Sequence, residues 1–440
     1  MSRDRLLLLN PPADRPTMRD YYCSSSSKGR TVWQPLDLVV QSGWLRGARE
    51  LTLIDAAISG QTAQKVLREI ERLKPQATLG LIGAAALDSD VQFYNELGAA
   101  AGRLFLSGDV ARFRPQEVFT AIPTAEGILR DLASDGLARR LADEEPGQGL
   151  WLRGGPLDDG PLKGEFRYPL PLHELFWPLP YRHPFLGWPF ASLLTDHGCP
   201  FGCAFCNSGR PGWMQREPDD LFAELEALAE RGLRWLFIKD MTFNADPKRC
   251  ADLLQRMIAG NYGFRFAAYL RPDRIDDGLA RLLRKAGCVV AQLGIESGSD
   301  ELLAGQGKGI DLAAIRRGCA QLDRAGVPIG GHFVVGLPGE SDAQRAATLR
   351  LALELPLVYA SFNLATPRYG SRLEPGGGLE QMDGSHAVQP MLPQVLEFVR
   401  RANRRFYLRP RTWRRAAATS PAGARGLLRG GLALLTGKGA

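Results

Sequence analysis

The sequence predicts an α/β chain with a doubly wound, Rossmann-like N-terminal domain, a partial (β/α)6 barrel and a short helical basic C-terminal tail. Three observations predict it. Short apolar runs alternate with helical spacing in the first part of the chain. The same rhythm resumes six times between residues 191 and 367. A stretch rich in proline and aromatics separates the two. Strands alternating with helices build parallel sheets covered by helices. The spans that follow are 1–145 for the first domain, 146–189 for the connector, 190–375 for the barrel and 376–440 for the tail.

In the first domain the apolar runs 6–9, 51–55, 78–82 and 104–107 read as buried strands. Residues 61–73 have helical spacing, with Val66, Ile70 and Leu73 on one face, and 90–101 form a second helix. Ligands of doubly wound sheets lie at the carboxyl ends of the strands. Those ends carry Asn10-Pro11-Pro12, Ala56-Ala57, Gly83-Ala84-Ala85 and Gly108-Asp109. Asn10, Pro11, Gly83 and Gly108 are therefore candidate ligand-binding residues, small enough to admit a flat, bulky ligand. The alternative is that they close tight turns. Neither G-x-G-x-x-G nor a P-loop occurs here. Residues 21–30 read as a mobile loop over the sheet edge, with Cys23 incidental.

Residues 150–189 cannot form long helices because proline recurs throughout. They read as an ordered connector between domains, and His173 and His183 as surface or hydrogen-bonded residues. In the barrel the strands are 191–195, 235–239, 264–269, 289–294, 329–335 and 360–364. The helices are 219–231, 279–286 and 313–325. In β/α barrels the site lies at the strand C-termini.

The first of these strands feeds the run Thr195-Asp196-His197-Gly198-Cys199-Pro200-Phe201-Gly202-Cys203-Ala204-Phe205-Cys206, spaced C-x3-C-x2-C. Three thiolates at this spacing can hold three corners of a 4Fe–4S cube and leave the fourth iron open to a ligand. Gly198 and Gly202 let the loop curl around the cluster. Two alternatives stand beside this. Cys199, Cys203 and Cys206 could be buried packing residues, or His197 could complete a four-ligand zinc site. Cys250, Cys288 and Cys319 read as apolar packing residues. With seven cysteines in 440 residues and no signal peptide, disulfides are not expected and a cytoplasmic location is.

The cysteine loop, with Phe205 before its last cysteine, resembles that of the radical S-adenosylmethionine enzymes. The resemblance implies a 4Fe–4S cluster on Cys199, Cys203 and Cys206 whose open iron chelates S-adenosylmethionine. One electron then releases a 5′-deoxyadenosyl radical, which abstracts hydrogen from a substrate. It also implies roles at four later strand ends. Asp240 would accept hydrogen bonds from the ammonium of S-adenosylmethionine, or it is a helix N-cap. Arg271 would pair with the methionine carboxylate, or it forms a surface ion pair. Glu296 and Ser297, in Gly294-Ile-Glu-Ser-Gly-Ser299, would hydrogen-bond the ribose or the amino-acid part, or they form a capped turn. Gly336 and Leu337, in Gly336-Leu-Pro-Gly339, would flank the adenine. His332 faces the barrel interior, as a proton carrier or as a satisfied core histidine.

The start Leu-Leu-Leu-Leu-Asn-Pro-Pro and the stretch Gln34-Pro-Leu-Asp-Leu resemble the N-terminal domain of the cobalamin-binding subfamily. The cobalamin motif D-x-H-x-x-G is absent, and no histidine precedes His173. The resemblance therefore implies cobalamin held without a lower histidine ligand. What it implies for function is a cobalamin-dependent enzyme that methylates an unactivated carbon of a lipid-like, pigment or secondary-metabolite substrate. An electron donor such as flavodoxin or ferredoxin would serve it. Two alternatives remain: radical chemistry without bound cobalamin, and a non-enzymatic iron–sulfur or zinc scaffold that binds nucleic acid.

The formal charge is +7, but residues 398–440 hold ten arginines, one lysine and no acid. The rest of the chain therefore carries −4. A basic tail with Phe406, Tyr407, Leu408 and Trp413 is expected to dock by its aromatics and to associate weakly with an anionic membrane face. Nucleic acid is the less expected partner.

Overall fold

In a computed structural model the described residues are 5–22, 24–26, 31–48, 50–374, 379 and 393–419. The N-terminal strands are β1 (Arg5–Asn10), β2 (Thr17–Arg19), β3 (Ser24–Ser26), β4 (Glu50–Asp55), β5 (Ala77–Leu81), β6 (Arg103–Ser107), β7 (Ala125–Leu129) and β8 (Leu150–Leu152). Six of them form one sheet in the order β4-β1-β5-β6-β7-β8. Its pairs are parallel except β7–β8. Order reverses at β1, which makes the sheet doubly wound. Helices Ala63–Leu73 and Leu87–Leu97 cover one face, burying Val66, Ile70, Phe93 and Tyr94. Helix Leu36–Trp44 and the connector cover the other.

The four expected strands of this sheet are present. β7 was not expected, because Ala-Glu-Gly-Ile-Leu offers no apolar run and β7 is held by its neighbours. Within the expected loop of residues 21–30, Ser24–Ser26 is a strand. β2 and β3 pair antiparallel, and Tyr21 and Tyr22 are buried. Cys23 and residues 27–30 lie outside the described residues.

The connector binds both sides. The Tyr181 hydroxyl donates to Asp55 at 2.7 Å, and the Leu172 N–H donates to Ser42 Oγ at 2.9 Å. Phe176, Tyr181, Phe185 and Phe190 join one apolar core that runs from Leu8 and Phe105 to barrel residues Leu193 and Phe237. The connector also supplies β9 (Leu162–Phe166), which sequence reading missed.

The barrel strands are β10 (Ala191–Leu193), β13 (Trp235–Ile238), β14 (Arg265–Leu270), β15 (Cys288–Glu296), β16 (Ile329–Val335) and β17 (Tyr359–Leu364). Between the first two come the short β11 (Asp196–Gly198) and β12 (Gly212–Arg216). The six barrel strands are parallel and stand in chain order. These are the six parallel strands of the partial (β/α)6 barrel expected. β11, β12 and β9 form a separate small sheet beside the cysteine loop.

An open barrel leaves β17 as an edge, which unprotected would invite strand pairing. The tail covers it. Helices Pro393–Tyr407 and Pro410–Thr419 bury Val395, Phe398, Ala402, Phe406 and Tyr407. The Tyr407 hydroxyl donates to the Ala360 carbonyl at 2.7 Å. Arg400, Arg401, Arg404 and Arg405 stay exposed. Residues 426–435 lie outside the described residues. Among those described, no helix is long and apolar enough to cross a membrane.

Candidate active site

A cavity of about 340 Å³ opens between the barrel mouth and the first domain. That volume is at the low end of the roughly 300–1,000 Å³ usual for small-molecule sites. Cys199, Cys203 and Cys206 all line it, each half-buried.

The loop between β11 and β12 holds these cysteines by its backbone. Gly198 has φ +83, and a Cβ there would meet the Gly212 carbonyl oxygen at 1.9 Å. Only glycine allows β11 and β12 to approach so closely. Gly202 has open space instead, so its lack of a side chain is not required by contact. The Ala204 N–H donates to the Gln306 carbonyl at 2.8 Å, and the Cys199 N–H to that of Gly212 at 3.2 Å. Asn207 Nδ2 donates to the carbonyls of Tyr22 (2.6 Å) and Tyr369 (2.9 Å), which ties the loop to the first domain.

Three thiols on one cavity wall are the sulfur donors that iron–sulfur clusters take. The Ser208 N–H donates to Cys206 Sγ at 3.5 Å, and Thr242 Oγ1 lies 3.8 Å from Cys199 Sγ. Burial pushes the Cys203 thiol up to about 11, against the opposing pull of the Lys308 ammonium. Metal ligation must therefore displace protons. Among the described residues, no three His, Cys, Asp or Glu side chains are grouped closely enough for a single ion. His197 does not join the cysteines. Its ring is buried against Tyr21, Tyr22 and Phe166, with centroids 5.2, 5.6 and 6.0 Å away, and it does not line the cavity. The four-ligand zinc alternative loses its fourth ligand.

Two of the candidate residues at the strand ends reach the cavity. Arg271 follows β14, and its guanidinium carbon lies 4.0 Å from the Phe201 ring centroid. It pairs with Asp273 at 3.1 Å, the arginine buried and the aspartate exposed, so the expected ion pair is present with its acidic end at the surface. Glu296 ends β15 at a register shift, with φ +64. It forms a buried ion pair with Lys308 at 2.7 Å. Gly294 makes room for that pair, since a Cβ there would lie 2.7 Å from Glu296 Oε1 and 2.9 Å from Lys308 Nζ.

The others do not reach it. Asp240 is fully buried, and its Oδ1 accepts the N–H groups of Thr195 (2.7 Å) and Asp196 (3.0 Å). Burial pushes its carboxyl up. Its acceptors are used to clamp the end of β10 to β13, which corrects its expected role toward an ammonium. Ser297 is buried and accepts the Ser299 N–H at 3.2 Å, so it belongs to the capped turn. Gly336 donates to Glu340 Oε2, and Leu337 is buried; neither lines the cavity.

The strand ends of the first domain are also corrected, because protein fills their space. Arg19 of β2 is buried there, paired with Asp90 through its Nε at 2.8 Å. It donates to Asn10 Oδ1 at 2.8 Å and to the Pro11 carbonyl at 3.1 Å. The Gly83 N–H donates to Asp90 at 3.0 Å. A Cβ on Gly83 would meet Ser24 and Arg19 at 2.8 and 2.9 Å, and one on Gly108 would meet the Ile82 carbonyl oxygen at 2.2 Å. The small residues admit the β2–β3 hairpin and a close turn.

Sequence reading missed Asp20, Tyr21, Tyr22, Trp33, Lys239 and Lys308, all on the cavity wall. Only Lys308 carried a local signal, standing between two glycines. His332 does line the cavity. Its Nε2 lies 3.1 Å from Gln292 Oε1, and burial holds its imidazole down at about 4, so it is neutral near pH 7. His173 pairs with buried Glu224 at 2.6 Å, and His183 is buried 4.9 Å from the Phe237 ring. Cys250, Cys288 and Cys319 are buried among apolar side chains.

Six parallel strands bring three cysteines to the wall of one small-molecule cavity, a set of sulfur donors of the kind that suits an iron–sulfur cluster. The Radical SAM superfamily model matches residues 194–352. That segment, which holds the cysteine loop and β13 to β16, is similar to the superfamily. A protein of Pyrococcus horikoshii described as an uncharacterized methyltransferase is 24% identical over 390 residues, covering 84% of this chain and 82% of that protein. The tryptophan 2-C-methyltransferase of Streptomyces laurentii is 28% identical over 231 residues, covering 48% of this chain and 37% of that enzyme. Among solved structures, the radical S-adenosylmethionine methyltransferase TsrM from Kitasatospora setae, with cobalamin and a 4Fe–4S cluster bound, aligns with a TM-score of 0.64 at 18% identity. The alignment covers 84% of this chain and 77% of that one, and the likeness is one of fold.

Proposed function

We propose that this protein is a cobalamin-dependent radical S-adenosylmethionine methyltransferase acting on a carbon of a small or lipid-like molecule. The observation that carries the radical part is the convergence of Cys199, Cys203 and Cys206 with Arg271, Glu296 and Lys308 on one cavity. Cobalamin and methyl transfer are supported by the methyltransferase relatives and by the shared two-domain fold.

When bound, the cluster, S-adenosylmethionine and cobalamin supply the reducing electron, the hydrogen-abstracting radical and the methyl carrier. The residues do the rest. Cys199, Cys203 and Cys206 hold the cluster. Lys308 sets a positive charge beside Cys203. Arg271 and the Glu296–Lys308 pair offer both charges to an amino-acid moiety. Tyr21, Tyr22, Leu36 and Leu132 close the cavity from the first domain and exclude water. An external one-electron donor, such as a flavodoxin or ferredoxin, completes the cycle. The exposed arginines of the tail suit weak docking on an anionic membrane.

Cobalamin would lie against this wall, since Arg19 and Ser24 fill the strand ends below. That filling also favours the second reading, radical chemistry without cobalamin. One experiment separates them. Anaerobically reconstituted protein with dithionite should release 5′-deoxyadenosine, retain hydroxocobalamin through gel filtration, and lose iron in Cys203→Ala. Release without retention establishes the second reading. No release, with full iron in the variant, overturns both.

A further inference from the structure

The cavity has a second polar end that ligation of the cluster does not use. Asp20, just after β2, lines the wall on the first domain, and Lys239, just after β13, lines the barrel side. Lys239 Nζ lies 3.1 Å from Asp20 Oδ2. The same oxygen accepts the Trp33 indole N–H at 2.9 Å. The ammonium sits 4.2 Å from the centroid of the Trp33 ring. Both side chains are buried, Asp20 at 7% and Lys239 at 4% exposure. Asp20 Oδ1, also buried, has no hydrogen-bond partner.

Such an atom is out of place in a folded interior, where polar groups are satisfied. Leaving one dry costs about 1–3 kcal/mol, more for a charged group. On a residue that lines the cavity, a buried carboxylate oxygen without a donor is explained by a ligand that supplies one as the side chain turns toward it. Beside it, Asp20 takes one of the three N–H donors of Lys239. The corner therefore offers one acceptor next to spare donors.

We propose that Asp20 and Lys239 bind the polar head of the substrate, and that this head is the nitrogen-plus-carboxyl group of an amino acid, free or within a peptide. Charge decides between the possible heads. The pair is neutral in sum, so this corner favours a head that is itself neutral in sum. A zwitterionic amino acid and a peptide amide are both neutral, and both place an N–H donor near an oxygen acceptor. Trp33, Tyr269 and His332 also line the cavity. They give flat walls for an apolar or aromatic side chain. This assignment rests on reading the cavity as a radical S-adenosylmethionine active site.

The test uses the full chain after anaerobic reconstitution. Equilibrium dialysis against the common L-amino acids, and against their N-acetyl methylamides, compares wild type with Asp20→Asn, Lys239→Met and the neutral double variant. The double variant leaves no unpaired buried charge. Iron content and S-adenosylmethionine binding are measured on each. At least one probe should bind wild type and bind each variant about tenfold more weakly or worse, with iron and S-adenosylmethionine unchanged. Preference for free amino acids or for amides tells which source the head comes from. The proposal is overturned if no probe binds wild type holding its cluster and S-adenosylmethionine, or if the variants bind as tightly. It is also overturned if the variants lose only hydroxocobalamin, which would give the corner to the corrin. Asp20-dependent binding of a probe to protein that holds no cluster would keep the subsite and overturn the radical reading.

Discussion

Replacing Gly198 by alanine tests whether the cysteine loop is shaped by the close approach of β11 to β12. The residue has φ +83, and an alanine Cβ would lie 1.9 Å from the Gly212 carbonyl oxygen. A non-glycine residue in the left-handed region costs about 1–2 kcal/mol. Forcing two packed backbones apart adds about 1–3 kcal/mol. The loss should therefore be about 2–5 kcal/mol. It falls beside Cys199, whose N–H is bonded to that same Gly212 carbonyl. Gly202 is the control, because a Cβ there meets nothing within 4 Å. The assay is urea denaturation of each variant, with iron and sulfide measured after anaerobic reconstitution. Gly202→Ala should behave as wild type, while Gly198→Ala should lose stability and bind less iron. Wild-type stability and iron in Gly198→Ala, or equal damage in Gly202→Ala, would refute the reasoning.

Two further outcomes are expected. Asp240→Asn should lower stability by about 1–3 kcal/mol and leave S-adenosylmethionine affinity in equilibrium dialysis unchanged; a selective loss of affinity would return the residue to the site. Glu224 is buried between Arg216 and His173, and although burial alone would raise its carboxyl, Arg216 and His173 hold it at about 2, below its ordinary 4.5. Its contribution to stability is present above pH 4.5 and is lost as pH falls toward 2. Glu224→Gln should cost about 3–5 kcal/mol at neutral pH, and the gap to wild type should narrow as pH falls from 4.5; a gap constant across denaturation curves from pH 3 to 7 would contradict the pairing.

The cysteine cluster was legible because its three thiols sit within one short loop, where spacing alone limits what they could hold. The barrel strands were legible because each is a run of apolar residues with a turn residue after it. β9, β11 and β12 were not, since three to five residues with few apolar positions form strands only where partners wait. The Lys239–Asp20 pair spans 219 residues of chain, and no local pattern marks either member. Asp240 was misread for a related reason: its position at a strand end is local, whereas the partners of its carboxylate are decided by the neighbouring strand.

The sequence by itself determined the main β/α rhythm of both domains, the three clustered thiols and the charge of the tail. These are carried by spacing and composition along the chain. Only the tertiary structure decided which strand ends stay open. Small residues at Gly83 and Gly108 announce room, yet Arg19 and Ser24 take the room above Gly83, and the close approach of the Ile82 carbonyl takes that at Gly108. Room is a local property of missing side chains, and occupancy is settled by whichever distant segment buries its charge there best.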